Sequence, residues 1–176
     1  VVQTGATLTL QPGVTVKFGG TAPGYGSAPG SAALIVDGAI NAVGEPGNPV
    51  VFTSLQDDAH GGDTNGNGAS SGAAGDWYGI VFRPGSTGQL NHFFVGYGGS
   101  GVFNAYPMLR YGRAQVDVKQ ASVQLRQGVI TAGLRKGVYL EGADITPVIE
   151  EVQISDNIGV GGYTDRGDAV YQASVN

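Results

Sequence analysis

The chain has 176 residues, 32 of them Gly, with 41% hydrophobic and 13% charged residues and a formal net charge of −5. That length suits one domain with a real core, and the hydrophobic content excludes a disordered chain, which needs low hydrophobicity and high net charge. Gly without a Gly-X-Y period excludes collagen, the lack of Cys excludes disulfides and thiolate metal sites, and nine scattered Lys and Arg form no basic patch for nucleic acid.

Short strand-like runs then follow one another: Thr7–Leu10, Val14–Phe18, Ala33–Val36, Ala39–Ala42, Val50–Thr53, Ile80–Phe82, Leu90–Val95, Val116–Val118, Val123–Leu125, Val129–Thr131, Val138–Leu140, Val148–Ile149 and Val152–Ile154. β-Branched and aromatic residues dominate them, and Gly, Pro, Asn or Asp flank them. In Val14–Phe18 the alternation puts Val14, Val16 and Phe18 on one face. The run Leu90-Asn91-His92-Phe93-Phe94-Val95 reads as one strand with His92 on its wet face. Segments 19–31 and 56–76 break the pattern and read as insertion loops, and 98–113 reads as a third excursion or an irregular rung. No apolar run approaches the roughly 20 residues of a membrane span. No signal segment stands at Val1, so a mature product or an excised segment is expected.

Spacing suggests the architecture. Val16 to Val36 is 20 residues, Val118 to Tyr139 is 21, and Ile130 to Ile154 is 24. Such periods point to repeats. Coils of that length predict an all-β, right-handed parallel β-helix over 1–176, with about six rungs at roughly 4.8 Å each. A β-sandwich is the competing fold. Gly13, Gly38, Gly128, Gly142 and Asn157 are the expected rung corners.

Val14-Thr15-Val16-Lys17-Phe18-Gly19-Gly20, Asn48-Pro49-Val50-Val51-Phe52-Thr53-Ser54 and Gly75-Asp76-Trp77-Tyr78-Gly79-Ile80-Val81-Phe82 resemble the right-handed parallel β-helix repeats of large secreted and cell-surface bacterial proteins. The likeness covers residues 6–97 well and 114–176 only in its looser pattern. It implies an extracellular or cell-surface structural or adhesive unit. The same architecture serves adhesins, surface-layer proteins and polysaccharide lyases, so fold does not give function. Acidic, Gly-rich insertions before a Trp-Gly-type strand are common in the proteins it resembles. Trp77 is expected to anchor the returning chain, with a sugar-stacking platform as the alternative.

Asp63-Thr64-Asn65-Gly66-Asn67-Gly68 fits the opening of a calcium loop, with oxygen donors at alternating positions and Gly for the sharp turn. Position 12 is Ala74 rather than Glu, which rejects a helix–loop–helix site. An insertion could complete the shell with neighbouring acids. The metal set expected is Asp57, Asp58, Asp63, Asn65, Asn67 and Asp76, holding a structural Ca²⁺, against a plain solvated loop. His60 is a candidate addition.

Glycan hydrolysis needs two acids about 5–10 Å apart. Adjacent Glu150 and Glu151 would point to opposite faces; Glu141 with Asp144, and Asp165 with Asp168, are the other acids considered. Arg83, Arg110, Arg113, Arg126 and Arg135 are candidate bases for a lyase, without a motif around any. Phe103, Tyr97, Tyr106 and Tyr111 either line a carbohydrate groove or fill a loop. No catalytic residue is assigned. A solenoid end exposes unpaired backbone, so the expected partners are further copies stacked head to tail into a filament, and glycans.

Overall fold

The computed structural model describes residues 1–19, 32–100, 114–142, 146–159 and 170–173. These residues are all-β and hold no helix. The strands are β1 (Thr7–Leu10), β2 (Thr15–Phe18), β3 (Ala33–Val36), β4 (Ala39–Val43), β5 (Val50–Ser54), β6 (Gly79–Phe82) and β7 (Thr87–Asn91). They continue with β8 (Phe93–Gly96), β9 (Ala114–Lys119), β10 (Ser122–Thr131), β11 (Lys136–Glu141), β12 (Val148–Ser155) and β13 (Val170–Ala173). All pairings between them are parallel. Parallel pairing overturns the sandwich alternative, whose sheets are antiparallel, and is compatible with a solenoid.

The strands recur in three columns. The first runs β1, β4, β7 and the first half of β10; the second runs β2, β5, β8 and the second half of β10. β12 pairs with both halves of β10. The third column is a separate sheet in the order β3, β6, β9, β11, β13, extended by a bridge from Val2 to Val36.

Register corrects part of the spacing reading. Ile130 does stack on Ile154. Val118 stacks on Leu140 rather than Tyr139, and Val16 stacks on Phe52 rather than Val36. Val16 and Val36 belong to different columns, so their 20-residue separation is not a repeat. A bare turn of the stack runs from Val116 to Val138, 22 residues. From Ala39 to Thr87 it is 48, because the connection between β5 and β6 lies in between.

Inward side chains form ladders. Leu34, Ile80, Val116 and Val138 are in register, as are Val36, Phe82, Val118 and Leu140. All eight are buried. Two glycines complete this core. Gly88 occupies the inward place between Ile40 and Val123, and a Cβ there would lie 2.4 Å from the Phe82 ring. Gly128 sits one position before the Val129–Phe94 pair, opposite Phe93, where a Cβ would lie 2.3 Å from the ring. Each missing side chain makes room for a phenylalanine. Gly128 is therefore not a corner residue: it lies within β10.

Gly13, Gly38 and Gly142 do lie at strand ends, as expected, and further corners are made by residues other than Gly. His92, Gln127 and Glu151 have φ of 46, 51 and 54° and stack in register at the bend between the first and second columns. Tyr97, Ala132 and Asp156, with φ of 64, 54 and 57°, do the same between the second and third columns. Left-handed backbone at a non-glycine is uncommon, so no composition signal marks these bends. His92 is thus a corner that divides Leu90–Val95 into two strands. Glu151 likewise bends β12, and the strict alternation expected for Glu150 and Glu151 does not hold.

Gly128→Ala should lower stability by about 1–3 kcal/mol through overpacking. Adding Phe93→Leu should recover part of that loss, a coupling that urea unfolding of the two single variants and the double variant measures. A Gly128→Ala protein as stable as the parent would refute this account of the core.

Candidate functional site

The densest polar chemistry lies in the connection between β5 and β6. It begins under a buried carboxylate. Asp57 is 1% exposed and its Oδ2 accepts from Thr53 Oγ1 at 2.6 Å and pairs with His60 Nδ1 at 2.6 Å. His60 in turn stacks on Phe94, ring centroids 4.4 Å apart. Lys17 Nζ donates to the Gly62 carbonyl. The segment is thereby laid over the outer face of the second column. This explains why β5 is buried at all five positions.

The next turn winds around Asp63. Its Oδ1 accepts from Gly66 N at 2.7 Å and Asn67 N at 3.3 Å, and its Oδ2 accepts from Gly68 N at 3.0 Å. Asn65 Nδ2 donates to Leu55 O and Gln56 Oε1, and Asn67 Nδ2 donates to the same Gln56 Oε1. Asp58 Oδ2 accepts from Ser70 N at 2.7 Å and Ser70 Oγ at 3.2 Å. Asp58 Oδ1 is buried without a hydrogen-bond partner.

The return is fixed by Asp76 and Trp77. Asp76 Oδ2 accepts from Ser54 Oγ at 2.6 Å and Ala73 N at 2.8 Å. Trp77 is fully buried; its ring stacks on Phe18 at 4.1 Å and 4°, and Nε1 donates to Gly96 O at 2.8 Å. A ring enclosed in this way presents no face to a sugar. Tyr97 closes the segment from the other side, where a Cβ on Gly72 would meet its ring at 2.5 Å.

All six residues of the expected metal set therefore lie in this one segment, or at its return. Their side chains are engaged one by one with backbone and hydroxyl donors. Among the described residues no three His, Cys, Asp or Glu side chains cluster in a way that could hold a metal ion. All four carboxylates, those of Asp57, Asp58, Asp63 and Asp76, have at least one oxygen tied to a backbone N–H within the segment.

Beside it lies a buried amide corner that sequence reading missed. Gln115 Nε2 donates to Thr131 O at 2.8 Å and to Asn157 Oδ1 at 2.7 Å, while Gln115 Oε1 accepts from Gly98 N at 2.9 Å. Asn157 Oδ1 also accepts from Gly133 N. Gly98, Gly133 and Asn157 follow one another in register two positions after Gly96, Thr131 and Ser155. A Cβ on Gly133 would lie 2.6 Å from Gln115 Nε2. Asn157 is a corner, as its sequence context suggests. Gln115 is detectable only once that register is known.

The remaining acids and bases spread over other faces. On the third column Asp37, Arg83, Lys119 and Glu141 follow in register. Arg83 pairs with Asp37 at 3.2 Å, and Lys119 lies 3.8 Å from buried Asp117 and 3.9 Å from Glu141. Arg126 pairs with Glu150 on the first column. Asp144, Asp165, Asp168, Arg110, Arg113, Phe103, Tyr106 and Tyr111 lie outside the described residues, as do most of the 19–31 and 98–113 insertions. Among the described residues no helix is long and apolar enough to cross a membrane.

The Tyr97 hydroxyl is held above its usual value of 10.0, first by burial and then by the charges of Asp57 and Asp76. The folded chain keeps a proton that the unfolded chain loses sooner. This stabilisation is therefore present below pH about 10 and is lost as pH climbs through the higher folded value. Asp57→Asn and Asp76→Asn should each move the Tyr97 midpoint down. The phenolate absorbance difference between each protein and its Tyr97→Phe partner reports it; a midpoint unmoved in both would show that the two acids do not act on this ring.

Neither a family model, nor a curated protein, nor a solved structure matches this chain.

Proposed function

We propose that the chain is a right-handed parallel β-helix of six rungs serving as a structural and adhesive unit outside the cell. Right-handedness rests on the general rule that parallel crossovers take that hand in about 98% of cases. The observation that carries the adhesive role is the outer face of the first column. Thr9, Asn41, Gln89 and Gln124 stand in register across β1, β4, β7 and β10, flanked by the row Thr7, Ala39, Thr87 and Ser122. Thr7, Thr9, Thr87, Gln89, Ser122 and Gln124 are exposed. The second column's outer face carries the insertion, and on the third Val81 and Asp117 are buried. A flat strip of hydroxyl and amide groups, spaced about 4.8 Å across strands, suits a neutral glycan chain, whose hydroxyls both donate and accept.

A second reading, a lyase or hydrolase on acidic glycans, is favoured by the row Asp37, Arg83, Lys119 and Glu141. One ammonium lies within 4 Å of both Asp117 and Glu141, which keeps the two acids close enough to act as a pair. Burial of Asp117 weighs against it. Retention on insoluble neutral glycans should fall about tenfold in the double variant Gln89→Ala/Gln124→Ala, the loss of one or two net hydrogen bonds. Undiminished retention, or chain cleavage of a uronic-acid polymer that Lys119→Ala abolishes, would replace the adhesive reading with the enzymatic one.

The same proposal has copies stacking end to end, β12 of one on β1 and β2 of the next, and Ca²⁺ ordering the β5–β6 segment, with Asp58 Oδ1 as the oxygen in want of a partner. Register sets a condition on stacking. β13 of one copy would fall in the column position that Val2 holds in the next. Assembly therefore needs the Val2 bridge to open, and deleting residues 1–5 should speed fibre growth. Electron micrographs and melting curves of both forms, with chelator and with Ca²⁺, test this. Monomers throughout would end the stacking proposal, and a melting temperature indifferent to Ca²⁺ would end the calcium one.

A further inference from the structure

The β5–β6 segment contains two Asn-Gly pairs, Asn65-Gly66 and Asn67-Gly68. We propose that Asn67 is a site of spontaneous deamidation and that Asp63 is the brake on it. In this reaction the Gly68 nitrogen loses its proton to solvent base and attacks Asn67 Cγ. An N–Cγ bond forms, the Cγ–Nδ2 bond breaks, and ammonia leaves. Water then opens the succinimide to aspartate or isoaspartate. A following Gly has no Cβ to obstruct the attack.

The attacking species is a deprotonated amide. A carboxylate that accepts the N–H stabilises the protonated amide and repels the anion that must form. Asp63 Oδ2 lies 3.0 Å from Gly68 N and Oδ1 lies 2.7 Å from Gly66 N. One side chain therefore restrains both nucleophiles.

The two asparagines are not equally held. Asn65 is half-buried, and its Nδ2 donates to a carbonyl of the chain as well as to Gln56. Asn67 is exposed. Its Oδ1 lies 3.2 Å from Ser70 Oγ, whose one proton has a nearer acceptor in the Gln56 carbonyl at 2.9 Å, so its amide carbon is held by side chains alone. Conversion puts a carboxylate oxygen where Asn67 Nδ2 now donates to Gln56 Oε1 at 2.6 Å, and it adds negative charge beside Asp63. The change spares the core, since Asn67 is exposed.

The test incubates the full chain in mildly alkaline buffer and follows Asn67 by peptide mapping and mass spectrometry. Asp63→Ala should lose the Asn67 amide about tenfold faster than the parent, a barrier difference of about 1.4 kcal/mol. Asp63→Asn, with the shape but not the charge, should fall between. The parent in denaturant should also react faster than the folded parent, a comparison that needs no variant. Equal rates in parent and Asp63→Ala, equal rates folded and denatured, or Asn65 reacting ahead of Asn67 would each overturn the proposal.

Discussion

Parallel pairing sets neighbouring turns of this chain about 4.8 Å apart, and the rest of the structure accommodates that distance. Side chains that point inward must fit beneath the turn above without forcing it away. Most ladders meet the demand with residues of similar size, as in Leu34, Ile80, Val116 and Val138. Where a large ring enters, volume is removed from a nearby position. Phe82 lies over Gly88 and Phe93 over Gly128. Core volume is therefore balanced between strands rather than within any one of them.

The outer faces obey a different rule. There the spacing forces like positions into rows, whatever the residues are. Rows of charge must then be compensated along the stack, which is what Asp37 with Arg83, and Lys119 with Glu141, accomplish. The amide row of Asn41, Gln89 and Gln124 carries no charge to compensate.

Strands and their inward residues were legible because alternation and β-branched runs are local signals. Val123–Leu125 and Ile130 with Ile154 follow from the sequence directly. Stacking partners were less so, because insertions of unequal length separate them. Val16 finds Phe52, 36 residues on, and a constant period cannot reveal that. The bends at His92, Gln127 and Glu151 escaped for a related reason. Left-handed backbone there falls on His, Gln and Glu rather than on Gly. At the candidate site the acids were legible in the sequence but their hydrogen-bond partners were not. Asp57, Asp63 and Asp76 sit where the acidic motif places them, yet each is committed to donors within its own segment.

That commitment bears on where function can reside. A side chain that holds the backbone of an insertion is not free to change partners without loosening the insertion. Asp57 joins Thr53 of the sheet to His60 of the segment, and His60 rests on Phe94. Disturbing any of these would uncover the apolar outer face of β5 and β8. The insertion is thus a cover as much as a display, and its polar groups stabilise that cover. The first column carries no such duty on its outer face. Thr9, Gln89 and Gln124 contribute little to the core beneath them, so their chemistry can answer to a partner outside the chain.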